Sequence, residues 1–439
     1  MGSARKAALA ALEKCRRQGA WSDAVLGSVM DAEKLGGSDR ALAAALCYGV
    51  LQNRILLDAY LAAASNIALA KVEPKVLDIL RVSACQILLM DRIPASAAVS
   101  EGVELAKALG FARAAGYVNA VLRRLAGGGI ALELSGSDAE KRSVEYSHPV
   151  WLVELLEREL GAAEAEDYLR LDNSPAPITL QVNTLKTDAD ALIAALAYEG
   201  VSAEKHPWLP DCLTVRSVGS LPSLSAFRSG LFYVQDAAAR AAVLAAQPRA
   251  GDRILDCCAA PGGKSFAAAI LCGGGAEITA CDLHENKLKR LRESAARLGI
   301  DRITTLACDA RQFNPAWERS FDLVIADVPC SGLGVIRKKP DIRYKDPAAF
   351  EKLPDLQCAI LRSVSRYVAP GGTLLYSTCT IRPEENEAVV RAFRTADPSF
   401  SPVDFQISDG TRSADGMLKL WPQRNGTDGF FIAKLRRGP

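Results

Sequence analysis

Two cysteines stand in tight, polar, turn-forming contexts in the C-terminal third of this 439-residue chain. One is Cys330 in Asp327-Val328-Pro329-Cys330-Ser331-Gly332, the other Cys379 in Tyr376-Ser377-Thr378-Cys379-Thr380. Each follows a run with the apolar character of a buried parallel strand, residues 321–326 and 372–376. In an open α/β sheet the carboxyl ends of the strands face the ligand crevice, so both thiols are expected to look into one site. Two thiols at one crevice suit covalent chemistry, one acting as a thiolate nucleophile and the other assisting. Geometry alone leaves the two equal. A free cysteine is more often a small buried hydrophobe, and only the flanking sequence argues for chemistry here.

A second candidate site lies upstream, in Asp256-Cys257-Cys258-Ala259-Ala260-Pro261-Gly262-Gly263-Lys264-Ser265. Its glycines let the backbone turn sharply and approach a ligand, and the helix that follows offers a positive N-terminus. It has neither the Gly-x-Gly-x-x-Gly dinucleotide pattern nor the Walker spacing. Asp282 closes the next strand, where a carboxylate accepts hydrogen bonds from ribose hydroxyls. Asp309 closes the third strand and Asp327 the fourth. Each aspartate singly reads as a helix cap. The series describes a nucleoside-shaped crevice.

The elements that position these residues fall into three regions. Residues 1–129 read as all-helical: apolar residues recur at three- and four-residue spacing, with breaks at Gly36-Gly37-Ser38-Asp39, Val72-Glu73-Pro74 and Arg92-Ile93-Pro94. Residues 130–235 read as a polar connector (135–142), two helices and a small α+β module. From 236 to 439 strands and helices alternate regularly, predicting a Rossmann-like, doubly wound parallel sheet. Its strands are placed at 253–257, 277–281, 304–308, 322–326 and 373–376, with a late strand at 429–433.

Composition narrows the class. Hydrophobic residues make up 49% and charged residues 24%, which is ordinary for a soluble globular protein. The longest apolar stretches fall short of the about 20 residues that span a membrane. The first six residues lack a signal peptide's apolar segment and the myristoylation pattern, so a cytoplasmic location is expected. The 12 cysteines form no Cys-x-x-Cys pair and the three histidines are scattered, so no metal centre is expected. Residues 1–127 carry 16 Lys/Arg against 11 Asp/Glu, a net +5 where the whole chain carries +2. The loop 337–345 holds five basic residues and one acid; Arg337, Lys338, Lys339 and Arg343 suit phosphate contacts and Tyr344 suits stacking on a base. A solvated surface loop is the alternative.

The strings DCCAAPGGKS, DVPCSGLGVIRKKPDIRY, YSTCTIRPEENE and DGFFIAKL, in that order, resemble the successive motifs of RNA cytosine-5 methyltransferases. The helical N-terminus resembles the antitermination-factor type of RNA-binding domain. Together they are similar to the bacterial 16S ribosomal RNA enzymes of the Sun/Fmu type, named for cytosine 967. The resemblance implies S-adenosylmethionine as cofactor, held by Cys258, Ala259, Ala260, Pro261, Gly262, Gly263 and Lys264, with Asp282 at the ribose and Asp309 at the adenine. It places Asp327 nearest the methyl donor and base. It makes Cys379 the nucleophile that adds to C6 of the base and Cys330 the thiol that assists release, whereas DNA cytosine methyltransferases use their Pro-Cys thiol as nucleophile. The sequence departs from the family at Ser265, Val328 and Thr380, where Thr, Ala and Ser are commoner; no functional group is lost. The implied partner is 16S RNA, unassembled or in early assembly, and a monomer is expected. Transfer RNA or 23S RNA is an alternative substrate, and a non-catalytic RNA-binding or antitermination scaffold an alternative role.

Overall fold

The structure, a computed structural model, describes residues 4–18, 20–216 and 219–439. Residues 1–3, which belong to the segment read for a leader, lie outside the described residues. Contacts divide the chain into two compact units. The first holds the residues up to Ser174 together with Ile336–Lys345; the second holds Pro175–Val335 and Asp346–Pro439. Three regions were expected from the sequence. The structure differs in the position of the boundary and in assigning the basic loop to the helical unit.

The first unit is all-helical: α1 (Ala4–Gln18), α2 (Ser22–Ala32), α3 (Gly37–Ala64), α4 (Pro74–Leu89), α5 (Ala95–Ala108), α6 (Ala115–Ala126), α7 (Asp138–Glu145), α8 (Val150–Leu160) and α9 (Ala162–Asp172). The starts follow local chemistry. The Glu73 side chain caps α4 by accepting from the amides of Lys75 and Val76, with Pro74 at the first helical position. Ser137 and Glu140 form a reciprocal capping box that starts α7 inside the stretch expected to be a connector. Leu46, Leu57, Leu61, Ile79, Leu80 and Leu122 are wholly buried and form the centre of the core. In α3 the backbone leaves helical geometry at Asn53 (φ −118°, ψ 19°), and the amide of Ile55 donates instead to Ser147 Oγ at 2.9 Å.

The second unit has two main sheets. The smaller is antiparallel, with β1 (Ile178–Val182), β2 (Ala203–Lys205), β3 (Cys212–Val215) and β4 (Phe232–Val234) in the order β2-β3-β1-β4; it carries α10 (Ala189–Tyr198) and α11 (Ser225–Arg228). The larger follows α12 (Ala237–Ala246). It contains β5 (Arg253–Asp256), β6 (Glu277–Asp282), β7 (Ile303–Ala307), β8 (Phe321–Asp327), β9 (Val368–Thr378), β10 (Phe400–Pro402), β13 (Met417–Leu420) and β14 (Phe430–Arg437), with a short hairpin, β11 (Gln406–Ser408) and β12 (Thr411–Arg412), apart. The order is β10-β14-β9-β8-β5-β6-β7, and β13 also pairs with β14. Strands β7, β6, β5, β8 and β9 are parallel, while β14 runs antiparallel to β9. The doubly wound sheet is thus as expected, and its order reverses between β5 and β8, which puts the ligand crevice at their carboxyl ends. Helices α13 (Gly263–Leu271), α14 (Glu285–Leu298), α15 (Leu353–Val364) and α16 (Glu387–Ala396) are the principal helices of this domain, and α17 (Pro422–Asn425) is a single turn. Strand β9 is longer than expected because it continues back through Pro370-Gly371-Gly372, with an irregular register against β8. Among the described residues no helix is long and apolar enough to cross a membrane, and no three metal-ligating side chains converge.

Candidate active site

Strand β5 ends in Asp256, and the chain then turns through the Gly-Gly-Lys loop into α13. Gly262 adopts φ 112°, and a Cβ there would run into the Phe266 ring, so only glycine permits the turn. Asp256 is wholly buried. Its Oδ2 accepts from Ser265 Oγ at 2.7 Å, while Oδ1 has no partner. Burial pushes its carboxyl up to about 7, against the opposing hydrogen bond from Ser265.

Asp256, Cys258, Ala259, Ala260, Pro261, Gly263, Lys264 and Asp327 line a cavity of about 490 Å³. Its other wall includes Leu221, Pro222, Phe227, Tyr233, Val234 and Gln235 from the smaller module, with Arg297 from α14. Neither Asp282 nor Asp309 is among its lining residues. Asp309 instead borders a smaller apolar pocket of about 50 Å³ with Cys257, Cys281, Cys308, Trp317 and Tyr367. The Arg311 guanidinium folds onto the Asp309 carboxylate (Nη2–Oδ2 2.5 Å) and holds its carboxyl below the usual range. Asp282, at the end of β6, accepts from the His284 amide at 3.0 Å through Oδ1. The Cys258 thiol is pushed up by burial first and by nearby carboxylates second, and so stays neutral.

The two sites predicted from sequence meet through Asp327. Lys264 Nζ lies 2.7 Å from Asp327 Oδ2, and Ser377 Oγ donates to Asp327 Oδ1 at 2.7 Å. Ser377 sits two residues before Cys379 on β9, and Asp327 three before Cys330 after β8; the two strands are paired with Asp327 opposite Ser377. The thiols of Cys330 and Cys379 are 3.3 Å apart, each half-buried. Cys330 is pushed well above the ordinary thiol range by its hydrogen bond to Cys379, by burial and by the charge of Glu385. The close thiol pair depends on a glycine. A Cβ on Gly334 would collide with the Gly429 carbonyl oxygen and fall 2.9 Å from that of Cys379, to which the Gly334 amide donates at 3.0 Å.

Of the five side chains expected at RNA, Arg343 is corrected. It is wholly buried in the helical unit, donating to the carbonyl oxygens of Gln52 (2.7 Å), Ser147 (3.2 Å) and Asp172 (3.2 Å). A guanidinium enclosed by main-chain acceptors presents nothing to a phosphate. Tyr344 lies beneath the Arg54 guanidinium, 3.4 Å from ring centroid to Cζ, and its hydroxyl is buried. Arg337 donates to the carbonyl and hydroxyl of Ser174. Lys339 pairs with Asp23 at 3.4 Å, and Lys338 is exposed.

Sequence reasoning placed Asp256 and Ser265 in the candidate loop without a role, and missed Gln357, Glu385 and Asn386. Glu385 and Asn386 stand inside the string YSTCTIRPEENE without a role assigned to them; Gln357, in the middle of α15, carries no local signal.

Residues 243–436 match the family described as 16S rRNA methyltransferase RsmB/F, residues 2–127 the NusB family, and residues 148–221 the ferredoxin-like domain of RsmF/B-like methyltransferases. The chain is 38% identical to the probable ribosomal RNA small subunit methyltransferase B of Bacillus subtilis, over 99% of both chains. It is 33% identical to ribosomal RNA small subunit methyltransferase B of Erwinia tasmaniensis, again over 99% of both. Among solved structures, the crystal structure of PH0851 superposes with a TM-score of 0.83 at 26% identity, covering 98% of each chain. A doubly wound sheet with a glycine-turn crevice at its switch point and a thiol pair beside it is the architecture of a methyltransferase. The chain belongs to the 16S rRNA methyltransferase RsmB/F family, and it is an RNA methyltransferase dependent on S-adenosylmethionine.

The residues present fit that cofactor. The orphaned Asp256 oxygen offers a buried acceptor at the cavity wall, Gly263 lines the cavity without a side chain to fill it, and α13 directs its amide end at the loop.

Proposed function

We propose that this chain methylates C5 of one cytosine in 16S ribosomal RNA, of the cytosine 967 type, through a covalent bond between Cys379 and C6 of the base, with Cys330 assisting release. The observation that carries the reading is the 3.3 Å separation of the two thiols beside Asp327. When bound, the cofactor supplies an electrophilic methyl group on a sulfonium centre. C5 of cytosine is a poor nucleophile unaided. Addition of the Cys379 thiolate to C6 makes C5 enamine-like. Asp327, already fixed by Lys264 and Ser377, keeps lone pairs that can accept from the exocyclic amine and so orient the ring. After methylation the C5 proton must leave and the Cys379–C6 bond must break, and Cys330 is placed to serve that stage. In this reading Cys258 to Lys264 hold the methionine part of the cofactor, Asp282 its ribose and Asp309 its adenine.

A thiolate reaches C6 only when the base has left its stack, so the substrate is RNA with an opened or single-stranded target, free or in early assembly. We assign the helical unit an RNA-binding role and keep Lys338 and Lys339 as phosphate contacts and Arg337 and Tyr344 at their border. The enzyme is taken to act in the cytoplasm as a monomer without metal.

Incubation with labelled cofactor and unmodified 16S RNA, followed by bisulfite sequencing, is expected to give 5-methylcytosine at one position. Labelling confined to transfer RNA or 23S RNA would move the substrate. Absence of any transfer, with no cofactor binding by calorimetry, would leave a scaffold.

A further inference from the structure

Glu385 and Asn386 are both wholly buried and consecutive in the chain, and each grips the two residues that flank one of the cysteines. Glu385 Oε2 accepts from the amide of Ser331 at 2.9 Å and from Gln357 Nε2 at 3.0 Å. The same Gln357 nitrogen donates to the carbonyl of Pro329 at 3.0 Å. Both neighbours of Cys330 are therefore tied to one carboxylate. Asn386 does the same for Cys379: its Oδ1 accepts from Thr378 Oγ1 at 2.5 Å and its Nδ2 donates to the carbonyl of Thr380 at 3.0 Å. The hydroxyls of Ser331 and Thr380 close the ring at 2.6 Å, and Tyr376 OH donates to the Glu385 carbonyl at 2.6 Å.

A buried carboxylate is costly where an amide or an apolar side chain would pack as well. Arg382 forms an ion pair with Oε1 at 3.5 Å, long for a hydrogen bond, so the charge is only partly compensated. The charge thus does something that packing does not require. We propose that Glu385 and Asn386 are positioning residues that set the separation of the two thiols, and that the Glu385 charge keeps the shared proton on Cys330, leaving Cys379 the one to attack. This assignment rests on the two-thiol reading above. The rise in the Cys330 thiol, to which Glu385 contributes after the Cys379 hydrogen bond, burial and the charge of Cys379, agrees with it.

The test is site-resolved alkylation by iodoacetamide, read by mass spectrometry at neutral pH in the full-length protein without RNA or cofactor. In the unaltered protein Cys379 should label faster than Cys330. Glu385→Gln keeps the shape and removes the charge, and should raise Cys330 labelling relative to Cys379 by roughly tenfold, the change that one pKa unit gives. Glu385→Asp keeps the charge and should hold the ratio within about twofold of the starting value, even where the shorter side chain slows methyl transfer. An unchanged ratio in Glu385→Gln overturns the proposal, whatever happens to activity. Should that variant fail to fold, Arg382→Gln, which removes the cation paired with Glu385 and so strengthens the field of its charge, should lower Cys330 labelling relative to Cys379; no movement is equally fatal. Since alkylation needs no RNA, a shifted ratio in a protein that methylates no RNA would sink the functional reading, and with it the attack by Cys379, and leave only the placement of the proton standing.

Discussion

Replacing Arg343 by methionine separates a structural arginine from an RNA-contacting one. The guanidinium has no solvent exposure and serves three carbonyl oxygens from three segments: Gln52 within α3, Ser147 in the turn before α8, and Asp172 at the end of α9. Methionine fills much of the stem's volume and takes the Arg343 donor from three acceptors, two of them in buried bonds and that of Gln52 in a part-buried one, at about 1–3 kcal/mol each. Against that stands the desolvation penalty of the lost charge, several kcal/mol. The net expected loss is about 3 kcal/mol, since the Ser147 and Asp172 bonds are buried. For a unit of this size, about 2–4 °C per kcal/mol gives a fall in Tm of roughly 6–12 °C. Thermal unfolding of the full-length protein measures it, and RNA binding across a salt series supplies the second axis. Arg343→Met should leave the salt slope of the folded protein unchanged, and Lys338→Ala, at an exposed side chain, should lower it while sparing Tm. An unchanged Tm with a slope reduced by about 0.7–0.9, one phosphate contact, would refute the burial argument and restore Arg343 to the RNA surface.

Three further outcomes are expected. Cys379→Ala should bind RNA and cofactor yet form no adduct with RNA, while Cys330→Ala should accumulate a protein–RNA species that survives denaturing electrophoresis; adduct from Cys379→Ala and none from Cys330→Ala would reverse the roles. Gly334→Ala should destabilise the domain by about 1–3 kcal/mol and abolish trapping on RNA carrying 5-fluorocytosine, because its Cβ would meet the Gly429 carbonyl; normal trapping would show that the loop yields. Asp256, raised from 3.8 to about 7, binds more proton folded than unfolded across that window, so stability should fall as pH rises from about 4 to 7; Asp256→Asn should remove up to one proton's worth of that slope, and an unaltered slope in urea titrations would place the titration elsewhere.

The parallel sheet was legible because its central strands are buried on both faces and read as apolar runs that end abruptly in Asp256, Asp282 or Asp327. The thiol pair was legible because both cysteines follow apolar runs whose carboxyl ends face one crevice; the structure adds that β8 and β9 are neighbours. Other features leave no such trace. The loop 337–345 advertises its charge, but the groups that capture Arg343 are main-chain carbonyls from distant helices, and every residue type carries a carbonyl. Local charge therefore could not distinguish a phosphate ligand from an internal tie. Ser137 and Glu140 did have the spacing of a capping box, and polarity alone led to a connector where the chain starts a helix.

Glu385 marks the deeper limit. Its acidity and its neighbourhood to Cys379 are plain in the sequence, but its role depends on the Ser331 amide 54 positions away and on Gln357, which looks like any polar residue on α15. A pattern along the chain can report that two thiols meet. Which of them holds the proton is decided by a buried charge whose partners are set only when β8, β9 and α15 have packed, and chemistry at the pair follows from that packing rather than from the cysteines themselves.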